Sequence, residues 1–333
     1  MKKNFNARKV AEELGVSPTT VSRALSGKGR VSEETAKRIK EYIASKGGNI
    51  GASVSSAKEE STTNIAMIIP TGYNADYMSF FFTCLSGIQE TCQNNGYDLI
   101  VTACGNDDIT PIKRLVENHK VDGLIIARTY QKDPAIEYLK AQGIPFVSVG
   151  TSPYSGVAMA DQDNVGSAME LTQIMIAKGF THLALIGGDM SFVANRQRFE
   201  GFRLGLEETD NRLDKNLIFT NNMTTQDVSD SVGEIIKIGA DCIIGMDDNL
   251  TMMILNELRR RKIVIPKMIK VASFYDSTYL EQYHPSVTSL VFDTRGLGKK
   301  AAEKLLYLLH KFDKDLSESV AIPYEVAIRE STK

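Results

Sequence analysis

Apolar residues recur along this chain with two different periods, and the change from one to the other divides it. In the first 46 residues they return every three or four positions: Val10, Ala11 and Leu14, then Val21, Ala24 and Leu25, then Val31, Ile39, Tyr42 and Ile43. That is the period of amphipathic helices. Ser17 suits an N-cap and Pro18 the first helical position, while Gly15 ends the preceding helix where the chain must turn. Ser32 can cap the third helix, with Glu33 and Glu34 in the first turn where the helix dipole favours acids. The pattern predicts helix, glycine turn, helix, and a third helix that closes a small core.

Residues 47–63, GGNIGASVSSAKEESTT, lose this periodicity and become small and polar, the character of a linker. From Asn64 onward, short apolar runs at 65–69, 99–102, 124–127 and 146–149 alternate with amphipathic segments at 80–94, 112–119 and 135–142. A long helix at 165–178 precedes a second series, with strands at 183–186, 217–219, 242–245 and 269–272 and helices at 199–208, 228–238 and 250–261. Such alternation predicts parallel sheets with helical crossovers, here as two lobes with a cleft between them. Ligands of such sheets sit beyond the carboxyl ends of the strands, so the cleft is the expected site.

Composition changes this picture in one respect. The 333 residues are 42% hydrophobic and 24% charged with a net charge of -2, the balance of an ordinary soluble protein. Yet residues 1–46 carry eleven lysines and arginines against five glutamates, so this head is +6 and the remainder -8. A basic head on an acidic body is the footprint of a module that meets phosphate. Its second helix shows water Pro18, Thr19, Thr20, Ser22 and Arg23, a width and chemistry suited to the major groove of DNA. Lys28, Gly29 and Arg30 fall in the next loop, placed to touch backbone phosphate.

Other functions find little support. The start MKKNFNARKVAEELG has no apolar run after its lysines, and no long uncharged stretch follows anywhere, so neither a secretory signal nor a membrane span is expected. Cys84, Cys92, Cys104 and Cys242 lack metal-ligand spacing and read as reduced thiols of a cytoplasmic protein. No phosphate loop follows a strand, and the histidines are scattered; no enzyme, cofactor or metal is expected. Gly187-Gly188-Asp189 is explained by a tight turn.

Several motifs in order then carry a resemblance. The head reads V-A-E-E-L-G-V-S-P-T-T-V-S-R-A-L-S-G-K-G-R-V-S-E-E-T, and the body contains T-N-I-A-M-I-I-P, V-D-G-L-I-I, K-G-F-T-H-L-A-L-I-G-G, R-F-E-G-F, P-S-V-T-S and I-R-E-S. Over essentially its whole length the chain is similar to the lactose-repressor/galactose-repressor (LacI/GalR) family of bacterial transcription regulators. The resemblance implies an all-α helix-turn-helix head at 1–46 and a hinge at 47–63. It implies a periplasmic-binding-protein-like α/β body whose chain crosses three times between a first lobe, 64–161 and 293–318, and a second, 162–292 and 319–330.

By the same resemblance Pro18, Thr19 and Arg23 read base edges, while Ser17, Thr20 and Ser22 touch phosphate. Arg23 is the strongest reader, since a guanidinium can bond O6 and N7 of one guanine. The hinge departs from the family: Gly48, Ile50 and Ala57 stand where relatives carry a Tyr-x-Pro start and a leucine wedged into the minor groove. A methyl group is a poor wedge and Gly51 weakens a helix, so either the hinge leaves specificity to the head or Val54 substitutes in a shifted register.

In the cleft, Arg198 takes the position from which relatives present an arginine to the effector, and Asp247 replaces a frequent asparagine. Asp163 and Asn164 open the long helix, where capping and ligand contact are both open. Gly150, Tyr275 and Phe292 stand where relatives often place polar acceptors, which argues against copying a known effector. Phe80, Phe81 and Tyr275 could stack on a sugar face, and Arg128 with Arg198 would suit a phosphorylated or acidic sugar. The expectation is a homodimeric, ligand-responsive repressor of carbohydrate-use genes acting on a pseudo-palindromic DNA operator through a sugar or sugar-phosphate effector. A sugar-sensing protein without an operator, or a regulator switched by a protein partner, is the alternative.

Overall fold

The computed structural model describes residues 7–26, 31–45, 61–71, 79–209, 213–309 and 321–333. Lys28 and Arg30 of the head and Val54 and Ala57 of the hinge lie outside the described residues. The chain forms two compact units, Met1–Thr62 and Thr63–Lys333.

The first unit holds three helices, α1 (Ala7–Leu14), α2 (Pro18–Ser26) and α3 (Glu33–Ser45). Val10, Ala11, Val21, Ala24, Ile39 and Ile43 form its core. Gly15 makes the turn between α1 and α2 with φ +64°, a left-handed conformation that L side chains resist. The Ser17 hydroxyl accepts from Thr20 N at 3.0 Å, and Ser32 serves Thr35 N in the same way at 3.3 Å. Arg38 Nη2 donates to the Leu14 carbonyl at 2.5 Å, which satisfies an end of α1 and ties α3 to it.

The second unit is built on two sheets. In chain order its elements are β1 (Asn64–Ile69), α4 (Ser79–Asn94), β2 (Asp98–Ala103), α5 (Thr110–Glu117), β3 (Gly123–Ile126), α6 (Pro134–Gln142), β4 (Phe146–Val149), β5 (Ala158–Ala160), α7 (Asn164–Ala177) and β6 (Leu183–Ile186). There follow α8 (Val193–Glu207), β7 (Ile218–Phe219), α9 (Thr225–Ile238), β8 (Cys242–Gly245), α10 (Asp248–Arg260), β9 (Lys270–Ser273), α11 (Thr278–Gln282), β10 (Thr288–Phe292), α12 (Thr294–Leu308) and β11 (Tyr324–Ala327). The first sheet runs β2-β1-β3-β4-β5, all parallel. The second runs β11-β10-β9-β8-β6-β7. It is mixed: β11 lies antiparallel on β10, Phe292 opposite Tyr324, which refines the expectation of purely parallel sheets.

Strands β3, β4, β6 and β8 are buried along their whole length, because helices cover both faces of each sheet; hence their unbroken apolar runs. In the first lobe α4 and α12 cross almost backbone to backbone. A Cβ on Gly87 would lie 2.0 Å from the Arg295 carbonyl oxygen, and one on Gly298 2.1 Å from that of Cys84. α7 and α8 meet similarly in the second lobe, where a Cβ on Gly201 would lie 2.3 Å from the Val165 carbonyl oxygen.

The chain passes between the lobes at 161–164, again at 292–294, and a third time at 321–324. The first and third passages touch: Ile322 N donates to the Asp161 carbonyl at 2.9 Å, and Gln162 bridges Ile322. Each of the first two passages ends in an aspartate N-cap, Asp163 accepting from Gly166 N at 2.7 Å and Asp293 from Gly296 N at 2.8 Å.

Some sequence expectations shift. α8 starts at Val193 rather than at residue 199, because its first turns carry Asn195, Arg196 and Gln197 and turn a polar side to the cleft, which hides the apolar stripe. Leu217 belongs to a tight 3₁₀ turn, Lys215–Leu217, leaving only two residues of strand. β5 and β11 are short edge strands, α11 has five residues and β10 is a five-residue strand inside the second sheet; their weak periodicity did not announce them. All four cysteines are buried and free.

Candidate functional site

In the first unit, Pro18 and Thr19 begin α2 and are exposed, as is Arg23 one turn later. Ser17 and Thr20 share a hydroxyl bond of 2.8 Å at the start of this helix, so both oxygens sit together on its exposed end. Ser22 lies within α2. The arrangement presents Pro18, Thr19 and Arg23 outward while Val21 and Ala24 hold the other face in the core. That is the geometry a recognition helix needs.

In the second unit a cavity of about 140 Å³ lies between the lobes. The carboxyl ends of the strands deliver much of its lining: Ala127, Arg128 and Thr129 follow β3, Val149 and Gly150 close β4, Asp247, Asp248 and Asn249 follow β8, and Tyr275 follows β9. Phe80 and Phe81 come from the start of α4, Asn195 and Arg198 from α8, and Gln162 and Asn164 from the first passage between lobes.

One wall is aromatic. Phe80 stands edge-on to Phe81 and to Tyr275, with ring centroids 5.2 and 5.7 Å apart. Tyr275 in turn stacks on Phe292 at 6.2 Å, and its hydroxyl bonds the Thr294 hydroxyl at 2.8 Å. Tyr275 therefore offers its ring more than its oxygen, and burial pushes its hydroxyl pKa well above the usual value.

The two arginines are both committed within the protein. Arg198 Nε donates to Asn164 Oδ1 at 3.3 Å and Nη1 to the Met246 carbonyl at 3.1 Å, and the guanidinium lies 5.7 Å from the Tyr275 ring. Arg128 is 3% exposed; it faces Asp133 at 3.5 Å, donates to the Gly105 carbonyl at 3.2 Å and covers the Tyr130 ring at 4.5 Å. The expected rim cation is thus a buried, paired one. Burial raises the pKa of Asp133, and Arg128 opposes that rise.

The carboxylates show the converse. Asp247 caps α10 through Leu250 N at 2.8 Å, and burial raises its pKa while Arg198 opposes. Asp248 rises to about 6, first through burial and then through the charge of Asp247. It accepts from the Ser79 hydroxyl at 2.7 Å, a bond from one lobe to the other. Asp163 is exposed, caps α7 and takes no part in the lining; its carboxylate is spent on Gly166 N, and its neighbour Asn164 faces the cavity instead.

Among the described residues three atoms of the lining are buried without a hydrogen-bond partner: Arg128 Nε, Gln162 Oε1 and Asn249 Oδ1. An unmet buried polar atom is costly, so a lining that carries three of them is prepared for a partner with several polar groups. The sequence reading brought together Phe80, Phe81, Arg128, Arg198, Asp247 and Tyr275 but missed Gln162, Asn195, Asp248 and Asn249. The last two follow Asp247 directly and could have been read from that register; Gln162 lies in a crossing segment with no periodic signal.

Among the described residues no group of histidine, cysteine, aspartate and glutamate could hold a metal, and no helix is long and apolar enough to cross a membrane.

Comparison with known proteins follows this division. Residues 8–47 match the bacterial regulatory proteins of the lacI family, and residues 172–332 a periplasmic binding protein-like domain. The HTH-type transcriptional regulator MalR of Streptococcus pneumoniae is 29% identical over 214 residues, 63% of this chain and 65% of that protein, just under two thirds of its length. The HTH-type transcriptional regulator RegA of Clostridium saccharobutylicum is 26% identical over 332 residues, covering 97% of this chain and 98% of that one. The structure of the transcriptional regulator CelR in complex with cellobiose shares the fold with a TM-score of 0.73 at 23% identity, covering 98% of this chain and 100% of that chain.

Proposed function

The chain belongs to the lacI family of bacterial regulatory proteins, and from that premise we propose how it works: as a homodimeric transcription regulator whose interlobe cavity binds a neutral sugar. It is a DNA-binding regulator and not an enzyme. The head reads an operator through Pro18, Thr19 and Arg23, with Ser17, Thr20 and Ser22 near phosphate. Lys28 and Arg30 extend that phosphate contact. A dimer follows from economy: one short head spans too few base pairs for specificity, and two heads match a pseudo-palindrome. Work on DNA places it in the cytoplasm.

The observation that carries the ligand assignment is the set of three unpartnered polar atoms in a cavity that also has an aromatic wall. Sugars bring hydroxyls for the first and an apolar ring face for the second. A phosphorylated sugar fits less well. Arg128 already faces Asp133, and Arg198 lies beside Asp247, so the lining holds no spare positive charge for a dianion. One relative points the same way: the CelR structure is a complex with cellobiose.

Ligand action follows from two lobe arrangements. A sugar that prefers one of them shifts the population and changes how well the two heads engage DNA. The test is a thermal-shift screen of maltose, cellobiose, glucose, glucose 6-phosphate and nucleobases, because binding to the native state raises the melting temperature. A neutral sugar should give the largest rise. A larger rise with glucose 6-phosphate alone would overturn the assignment.

A further inference from the structure

The first passage between the lobes carries a hydrogen-bond chain whose polarity is fixed at its end. Arg198 is a donor only, so the Asn164 oxygen must face its Nε at 3.3 Å. The same Asn164 oxygen meets the Gln162 side chain at 3.2 Å, so Gln162 must present its amide nitrogen there. Its carbonyl oxygen Oε1 is thereby turned away from Asn164, and it has no partner although the residue is 6% exposed and lines the cavity. The Asn164 nitrogen continues the chain to Gln197 Oε1 at 3.2 Å, and Gln197 Nε2 continues it to the Thr151 hydroxyl at 2.6 Å. Thr151 closes it on the buried Asp161 carboxylate.

The main chain of Gln162 is anchored too. Its N–H donates to Asp161 Oδ1 at 2.8 Å, its carbonyl accepts from Asn164 N at 2.9 Å, and it bridges Ile322 of the third passage. A rotation that would satisfy Oε1 inside the protein would break the bond to Asn164 and set two acceptors, or two donors, against each other. The orphaned oxygen is therefore held in place by the network, not left over by loose packing.

We propose that Gln162 is a specificity-determining residue of the sugar site, its Oε1 accepting a hydrogen bond from one ligand hydroxyl. This rests on the reading of the cavity as a sugar site. Because Gln162 sits on the passage around which the lobes move, the hydroxyl it holds keeps its partner in both lobe arrangements. Gln162 thus sets which sugar is accepted, while groups from the two lobes, Asn249 on one side and Arg128 on the other, respond to closure. An acceptor in this position selects a hydroxyl donor and discriminates against a ligand lacking it, because the oxygen would then stay buried and unpaired.

The test uses the full chain and calorimetry with the neutral sugar that most raises the melting temperature, together with its monodeoxy analogues. One analogue should bind wild type roughly tenfold more weakly than the parent sugar. In Gln162→Met, which keeps side-chain length without an acceptor, parent and that analogue should bind alike, and the parent roughly tenfold more weakly than to wild type. Thermal unfolding of Gln162→Met should remain cooperative, so that its loss of affinity is read at the ligand and not at the fold. A Gln162→Met protein that stays folded and still rejects the same analogue overturns the assignment. If no sugar shifts the wild-type melting temperature, the sugar-site reading falls, and this assignment with it.

Discussion

Tyr130 and Phe192 stack across the cleft with ring centroids 4.6 Å apart, at a point where residues 130 and 192 also form an antiparallel bridge. Two backbone bonds flank the pair, Gln131 N to the Ser191 carbonyl at 3.0 Å and Val193 N to the Thr129 carbonyl at 3.1 Å. Tyr130 follows β3 of the first lobe and Phe192 precedes α8 of the second, and Phe192 also lines the cavity. This clasp joins the lobes at a point separate from the three chain passages, so moving the lobes apart here must break it.

Phe192→Ala should therefore favour the open arrangement. An aromatic pair contributes about 0.5–1.5 kcal/mol beyond its buried area, so ligand affinity should fall roughly three- to tenfold. Calorimetry measures the loss, and small-angle scattering should show a larger radius for the ligand-free variant than for wild type. An unchanged affinity would mean that the clasp plays no part in closure.

Ser79 and Asp248 form a second joint, at 2.7 Å. The Asp248 pKa of about 6 in the fold lies above that of an unfolded aspartate. Between roughly pH 4 and 6 the folded chain keeps a proton that the unfolded chain releases, so this group lowers stability as pH rises through that window. Asp248→Asn removes the effect. The variant should gain on wild type as pH rises from about 4 to 7, by on the order of 1–3 kcal/mol, measured by denaturant unfolding at both pH values. A difference independent of pH would contradict it.

Arg23 is exposed on α2. Arg23→Ala should leave the fold intact, cost about 1–3 kcal/mol of operator affinity and relax preference at one base pair. Binding-site selection with wild type and variant would check it; an identical selected sequence from both would be against it.

The crossing of α4 and α12 leaves no room for a methyl group at Gly87 or Gly298, since each Cβ would collide with a backbone carbonyl. Gly87→Ala should destabilise the body by about 1–3 kcal/mol, because backbone gives way less readily than a flexible side chain. Thermal unfolding should show the drop in both ligand-free and sugar-bound protein.

The parts of this molecule that sequence reveals are those with a period. The head was legible down to Ser17 and Gly15, since capping and chain reversal depend on local residue chemistry. The buried strands were legible as apolar runs. The start of α8 was not, because Asn195 and Arg198 serve the cavity and interrupt the stripe that marks a helix. Arg128 and Arg198 line the cavity, but their commitment within the protein was not legible: Asp133 lies five residues from Arg128, and only the turn after β3 brings their side chains together. Gln162 was invisible for a different reason, since its significance lies in which of its two polar atoms is already used.

The account is tested most directly by measuring DNA affinity of the full chain by fluorescence anisotropy, on an operator selected from a random duplex library, with and without the sugar that stabilises the body. It predicts specific binding and a sugar-dependent change of at least about fivefold, the lower range of allosteric coupling. A sugar that binds the body and leaves operator affinity unchanged would contradict it.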